Sequence, residues 1–168
     1  DIGDQQIRSA EGGGALVVGF SVTGAGAAGA EAAASPYASN APYDMYQIDS
    51  WIKIQGDGTV KVFTGHVELG QGNQTALSQI VADELDVPFS RVDMTMGDTN
   101  LTPDEGYTAG STTIRAAGSH LRAAAAEARL TLLTLAADKL GAPVGNLSVT
   151  DGIVSAPGGA SVSYGDLI

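Results

Sequence analysis

The stretch Thr64-Gly65-His66-Val67-Glu68-Leu69-Gly70-Gln71-Gly72-Asn73-Gln74-Thr75 concentrates the residues with chemical potential. It leaves a strand-like pattern and enters a helical one. Gly70 and Gly72 permit a sharp turn and a close backbone approach to a ligand. A helix beginning here offers free backbone N–H groups and a partial positive charge, suited to an anion or an oxo group. Gln71 adds a neutral amide at the tip, able to donate to one oxygen while accepting from another group. On these residues alone two readings stand: a cofactor- or anion-facing turn, and a turn whose glycines serve only the backbone.

Other candidates are weaker. Residues 98–106 (DTNLTPDEG) imitate a calcium loop, but Pro103 stands where the turn glycine belongs and Ala109 where the bidentate glutamate belongs. A solvated acidic loop is expected instead. Ser119 and His120 are adjacent on a helical pattern and so do not face each other. No Gly-x-Ser-x-Gly elbow accompanies them. His66 and His120, the two histidines, lack metal-ligand spacing and are expected to be structural. No pair of carboxylates stands out in an apolar setting.

The elements that must hold the Gly-Gln-Gly turn are legible from hydrophobic spacing. Residues 51–64 (WIKIQGDGTVKVFT) alternate at Ile52 and Ile54, then at Val60 and Val62, around Gly56-Asp57-Gly58, which predicts a hairpin. Leu77, Ile80, Val81 and Leu85 share one face of a predicted helix over 73–85, with Gln74, Ser78 and Asp83 opposite; Pro88 stops it. Val92, Met94 and Met96 mark a strand. After a polar loop over 97–110, Ser111 or Thr112 starts and caps a long helix. Its apolar stripe runs through Ile114, Leu121, Ala125, Ala128, Leu132, Leu135, Ala136 and Leu140, with Arg115, Arg122 and Arg129 on a polar strip. The alanines at 123–126 favour close approach by a neighbour. Gly141 and Pro143 end the helix. Residues 147–155 (LSVTDGIVS) predict a second hairpin turning at Asp151-Gly152. The expected fold class is α+β: β-hairpins and a short mixed sheet packed against two helices.

Composition narrows the partners. With eight Lys+Arg against nineteen Asp+Glu, the 168 residues carry a net charge of −11, which argues against nucleic acid and anionic membrane surfaces. The absence of cysteine excludes disulfides, thiolate–zinc sites and cysteine-ligated iron–sulfur clusters within these residues. The N-terminal part differs from the rest. Residues 1–46 read as an apolar, small-residue tail and linker, with 36–44 (PYASNAPYD) extended, and 47–168 as the folded domain. The run Leu16-Val17-Val18-Gly19-Phe20 is too short for a transmembrane helix. It suits either a tail packed on a partner or core, or an export signal whose cationic region is poor, with Arg8 alone against Asp1, Asp4 and Glu11. The closing Asp166-Leu167-Ile168 looks like the start of an element, which suggests a fragment or one piece of a split enzyme.

The pattern Gly65-x-x-Glu68-x-Gly70-Gln71-Gly72, following a strand and leading into Thr75 and an amphipathic helix, resembles the molybdenum cofactor-binding subunit of the xanthine oxidase family of molybdenum hydroxylases. The resemblance is to the branch similar to the beta subunits of isoquinoline 1-oxidoreductases and to related aldehyde or nicotinate dehydrogenases. It extends from about Trp51 to the end and includes VFTGHVELGQGNQTALSQIVADELDVP, MGDTNLTPDEGYTAGS, the Ala-rich helix and VTDGIVSAPGGASVSYGDL. The N-terminal GGALVVGFSV also resembles that branch's export region, without its twin arginines.

The resemblance implies several things. In the family the glutamine of Gly-Gln-Gly hydrogen-bonds an oxygen ligand of molybdenum, a catalytic role that falls here on Gln71; Gly70 and Gly72 shape the turn as cofactor-binding positions, and Glu68 takes a structural role. The implied cofactor is molybdopterin, with a cytosine dinucleotide form among the options, shared with other chains. The implied reaction is hydroxylation of aldehydes or N-heterocycles with water-derived oxygen. Implied partners are the remainder of the large subunit or a second large-subunit chain, a small iron–sulfur subunit, and in this branch a cytochrome c subunit. The implied location is periplasmic or periplasm-facing at the membrane, with the cytoplasm as the alternative. Neither the family's Gly-x-Gly-Glu-like motif with its catalytic glutamate nor its Phe-Gly block occurs here, so these residues supply one wall of a site and are inactive alone. Two readings from other classes compete: a non-catalytic α+β interaction module that keeps the fold without cofactor, and a free-standing secreted binding domain.

Overall fold

The alternation at Ile52, Ile54, Val60 and Val62 closes a hairpin whose inward residues are almost fully buried. In the computed structural model of the chain, which describes residues 6–9, 15–19 and 51–168, that hairpin is the centre of a five-stranded mixed sheet. Strands β1 (Gln6–Ser9), β2 (Ala15–Gly19), β3 (Ile52–Gln55), β4 (Val60–Thr64) and β5 (Val92–Met96) lie side by side in chain order. The first three pairings are antiparallel, and β4 pairs β5 in parallel, with Val60 opposite Val92 and Thr64 opposite Met96. The boundary expected near residue 46 and the extended linker over 36–44 lie outside the described residues.

A parallel pair needs a crossover, and helix α1 (Asn73–Leu85) supplies it. Leu77, Val81 and Leu85 are buried, as their spacing predicts. Ser78, expected on the polar side, is buried too. Helix α1 is covered on two sides, by the sheet and by α2, and Ser78 Oγ lies 3.8 Å from Met94 Sδ. The helix ends before Pro88 because Asp86 turns left-handed (φ 53°), which lets Val87 N–H reach Ala82 O.

Helix α2 (Thr113–Leu140) packs along α1 through its smallest residues. Ala117, Gly118, Leu121, Ala124, Ala125, Ala128, Leu132 and Ala136 are buried. A Cβ at Gly118 would sit 3.1 Å from Ile80 Cδ1, so the helices approach almost backbone to side chain. The arginine strip borders α1: Arg122 Nε bonds Glu84 at 2.9 Å, and Arg129 donates to Glu84 O at 2.9 Å, satisfying a carbonyl of the last turn. Ile114 departs from the expected stripe. It lies in the first turn of α2, where that helix borders a cleft, and is 42% exposed. Gly141, left-handed at φ 64°, ends α2.

The second hairpin forms with Asp151 (φ 52°) and Gly152 (φ 75°) at its two-residue turn. Strands β6 (Ser148–Thr150) and β7 (Ile153–Ser155) are joined by β8 (Ser161–Ser163), which the hydrophobic spacing does not foretell, in a second antiparallel sheet. Residues 165–167 form a single 3-10 turn. This sheet docks on the end of α1: Gly152 N–H donates to Asp86 O, and the buried Tyr164 hydroxyl donates to Leu85 O at 3.0 Å. Among the described residues no helix is long and apolar enough to cross a membrane. The arrangement is the expected α+β class, with the Gly-Gln-Gly turn emerging where β4 hands over to α1.

Candidate functional site

Between the end of β4 and the start of α1, the chain makes a loop that satisfies itself. Gly70 (φ 96°) and Gly72 (φ 81°) both adopt the left-handed region, which is why this turn needs glycine. The Glu68 carboxylate reaches across the loop. Its Oε1 accepts from Gly70 N–H at 2.7 Å and Gly72 N–H at 3.0 Å, and its Oε2 from Gln74 N–H at 2.9 Å. Those donors, foremost Gln74 N–H, hold the carboxyl below the usual carboxylate range. Glu68 thus takes up the Gly72 and Gln74 N–H groups, two of the donors that the start of α1 was expected to offer to an external anion.

Gln71 is exposed at the tip, with its amide clamped at both ends. Its Oε1 accepts from Leu69 N–H at 2.6 Å, and its Nε2 donates to Val67 O at 3.2 Å. A carboxamide carries two N–H donors, so the clamp fixes the group and leaves one N–H for another acceptor. Beside it opens a cleft of about 460 Å³, bounded by Gln71 and Asn73 on one side and by Thr108, Gly110, Ser111, Thr113 and Ile114 on the other. None of the lining residues is charged, on a chain of net charge −11. A larger groove of about 770 Å³ lies elsewhere, along α1, with Asp83 and Asp86 in its wall.

The far wall of the cleft is held by a buried polar cluster. Glu105, expected on a solvated loop, is turned inward with only 4% of its side chain exposed. Thr102 and Pro103 are buried with it. Glu105 Oε2 accepts from the Thr64 hydroxyl at 2.5 Å and from Gly65 N–H at 2.7 Å. His66 Nε2 faces Glu105 Oε1 at 3.8 Å, while its Nδ1 lies 3.3 Å from both the Thr108 and Thr113 hydroxyls. The Thr108 hydroxyl also accepts Val67 N–H at 2.9 Å. The loop comes so close because residue 65 has no side chain: a Cβ there would lie 2.2 Å from Pro103 O.

His66 is thus buried and internally bonded, whereas His120 packs edge-on against Trp51, with ring centroids 5.6 Å apart. The expected capping by Ser111 and Thr112 does not occur. Thr112 holds the N-cap position with near-helical angles (φ −89°, ψ −23°), and its hydroxyl donates back to Ala109 O. Ser111 is left-handed at φ 56°. Glu105, Thr108 and Thr113 were missed by sequence reasoning. One signal was present: the alternation Val60, Val62 continues inward to Thr64 and His66, two polar residues that need buried partners. Nothing local identifies Glu105 or Thr108 as those partners.

Residues 5–168 match the model of the molybdopterin cofactor-binding domain family. The chain is similar to a nicotinate dehydrogenase of Pseudomonas putida, 44% identical over 118 residues of one of that enzyme's subunits, covering 70% of this chain and 10% of the relative. It is similar to the beta subunit of isoquinoline 1-oxidoreductase of Brevundimonas diminuta, 33% identical over 126 residues, covering 70% and 16%. Among solved structures, a reconstituted CO dehydrogenase from Oligotropha carboxidovorans superimposes with a TM-score of 0.62 at 27% identity, covering 69% of this chain and 15% of that one. The chain therefore spans between a tenth and a sixth of the length of these two curated relatives.

Proposed function

The chain belongs to the molybdopterin cofactor-binding domain family, and from that membership we propose that it forms one wall of the cofactor pocket of a molybdenum hydroxylase large subunit. The complete enzyme would oxidise aldehydes or N-heterocycles with oxygen derived from water. The observation that carries this reading is the clamped Gln71 amide on the rim of an uncharged cleft.

The residues present suit such a group. A phosphate-bearing cofactor is anionic, and the cleft walls offer neutral donors rather than carboxylates: the Gln71 amide and the Ser111 hydroxyl, with the Thr108 and Thr113 hydroxyls beside them turned toward His66 Nδ1. The positions where a Cβ would sit on Gly70 and Gly72 have nothing within 4 Å, so backbone faces open space at the turn. When bound, the molybdenum–pterin group supplies the two-electron redox chemistry. The chain's part is positional and electrostatic. Gln71 presents its remaining N–H to an oxygen acceptor of the cofactor without adding charge. Its two loop bonds fix that donor before binding, so little reorganisation is required. Glu68 neutralises the N–H groups of the turn and keeps the tip in shape.

The same reading extends to partners. With no cysteine, these residues hold no cysteine-ligated cluster, so the iron–sulfur centres that take up the electrons would lie elsewhere in the enzyme; in our reading they sit on a separate iron–sulfur subunit, with a cytochrome c subunit beyond it. The test is metal and pterin analysis of the fully assembled enzyme, expected to hold molybdenum with its pterin. Active, assembled material holding neither refutes the proposal in favour of a non-catalytic module.

A further inference from the structure

We infer that Thr108 is a positioning residue for Gln71, acting through Val67; the inference rests on the functional reading above. Val67 is fixed at three points. Its N–H donates to Thr108 Oγ1 at 2.9 Å, and its carbonyl accepts Gln71 Nε2 at 3.2 Å. Its side chain packs on residue 97, where glycine leaves room: Val67 Cγ1 lies 2.3 Å from where a Cβ on Gly97 would be. The Thr108 hydroxyl therefore helps to set the carbonyl from which the Gln71 amide hangs.

The hydroxyl is itself held from behind. His66 is buried, with one ring nitrogen toward the Glu105 carboxylate and the other 3.3 Å from Thr108 Oγ1. With Nε2 protonated toward the carboxylate, Nδ1 is an acceptor shared by two hydroxyls at 3.3 Å, and the Thr108 O–H is one donor beside that of Thr113. The lone pairs of that hydroxyl are then free for Val67 N–H. A hydroxyl is required here because it must donate to the ring and accept from the backbone together. Thr108 also lines the cleft opposite Gln71, so one side chain ties the two walls to each other.

The test uses the complete, assembled enzyme carrying Thr108→Val, Thr108→Ser, Gln71→Ala, or Gln71→Ala with Thr108→Val. Turnover is read per bound molybdenum, and amide hydrogen exchange is read at Val67 and Leu69. Leu69 N–H reports the pose of Gln71 independently of activity, since it donates to Gln71 Oε1 at 2.6 Å. Thr108→Val is expected to lower turnover per molybdenum about tenfold, as loss of an orienting contact behind a functional group does, and to speed exchange at both amides. Thr108→Ser restores both. Added to Gln71→Ala, Thr108→Val costs less than about a further twofold, because the two residues act in series.

Faster exchange at Val67 with none at Leu69, a serine variant no better than valine, or a full multiplicative loss in the double variant each overturns the inference. Parental turnover in Gln71→Ala refutes the functional reading instead, and the Leu69 exchange comparison then decides the positioning claim alone. Should Thr108→Val fail to assemble, Thr108→Ala replaces it with the same deciding outcomes.

Discussion

Gly65→Ala should undock the loop that forms the far wall of the cleft. Gly65 is not in the left-handed region, so the effect is purely steric. The added Cβ would lie 2.2 Å from Pro103 O and 3.0 Å from Glu105 N, both backbone atoms that cannot rotate away. The loop must retreat, and Glu105 Oε2 then loses the Thr64 hydroxyl at 2.5 Å and Gly65 N–H at 2.7 Å. The carboxylate is 4% exposed, so water does not replace those donors at once. Two hydrogen bonds to a buried charged group are together worth about 3 kcal/mol, equivalent to a roughly 150-fold shift in local opening. Hydrogen exchange in the assembled enzyme, read over residues 64–68 and 102–108, measures that shift directly. Exchange within about threefold of the parent would refute the argument that Glu105 depends on this backbone contact. Gly72→Ala is the contrasting control. The space there is open, but φ is 81°, so backbone strain of about 1 kcal/mol is the whole expected cost.

On the role proposed for Gln71, Gln71→Ala removes the donor assigned to the cofactor and only exposed loop bonds otherwise, so turnover per molybdenum should fall about 100-fold while molybdenum content stays near parental; parallel metal analysis and kinetics check this. The Glu68 carboxyl is depressed by its N–H donors, so its hold on the turn is complete above the ordinary value of 4.5 and lost as pH falls through the lower folded value. Exchange at Gly70, Gly72 and Gln74, referenced to unstructured peptides, should loosen in that acid range, and Glu68→Gln should abolish the transition. Burial pushes the Tyr164 phenol up to about 12, so the unfolded chain ionises first, near 10.0, and the contribution of Tyr164 to stability should fall as pH rises between those values. Tyr164→Phe should lose that pH dependence and cost about 1 kcal/mol at neutral pH through the stranded Leu85 carbonyl, measurable by denaturant titration.

The site also shows how an acidic chain keeps one region fit for an anionic group. Glu68 and Glu105 both lie close to the cleft, and neither lines it. The first is turned into the backbone N–H groups of its own loop, the second into the protein against Thr64, Gly65 and His66. Each carboxylate spends its acceptor capacity on structure, and the cleft wall is left to amides and hydroxyls.

Period and turn chemistry were enough to place β3, β4, α1, β5, α2 and the β6–β7 hairpin, because each is set by contacts within a few residues: alternation, an i, i+3, i+4 stripe, a glycine at a left-handed turn. The Gly-Gln-Gly segment was readable as a site for the same reason, since its residue types are local. Sequence alone misjudged Ser78, Ile114 and, within the otherwise largely exposed acidic loop, Thr102, Pro103 and Glu105, where solvent exposure depends on what packs from elsewhere. It could not show that Glu68 bonds the Gly72 and Gln74 N–H groups at the start of α1, nor that Glu105 crosses 40 residues of chain to Gly65. Those pairings were decided by tertiary structure, because a buried polar group takes whichever partner the fold brings within about 3 Å, and that distance is not encoded in any local period.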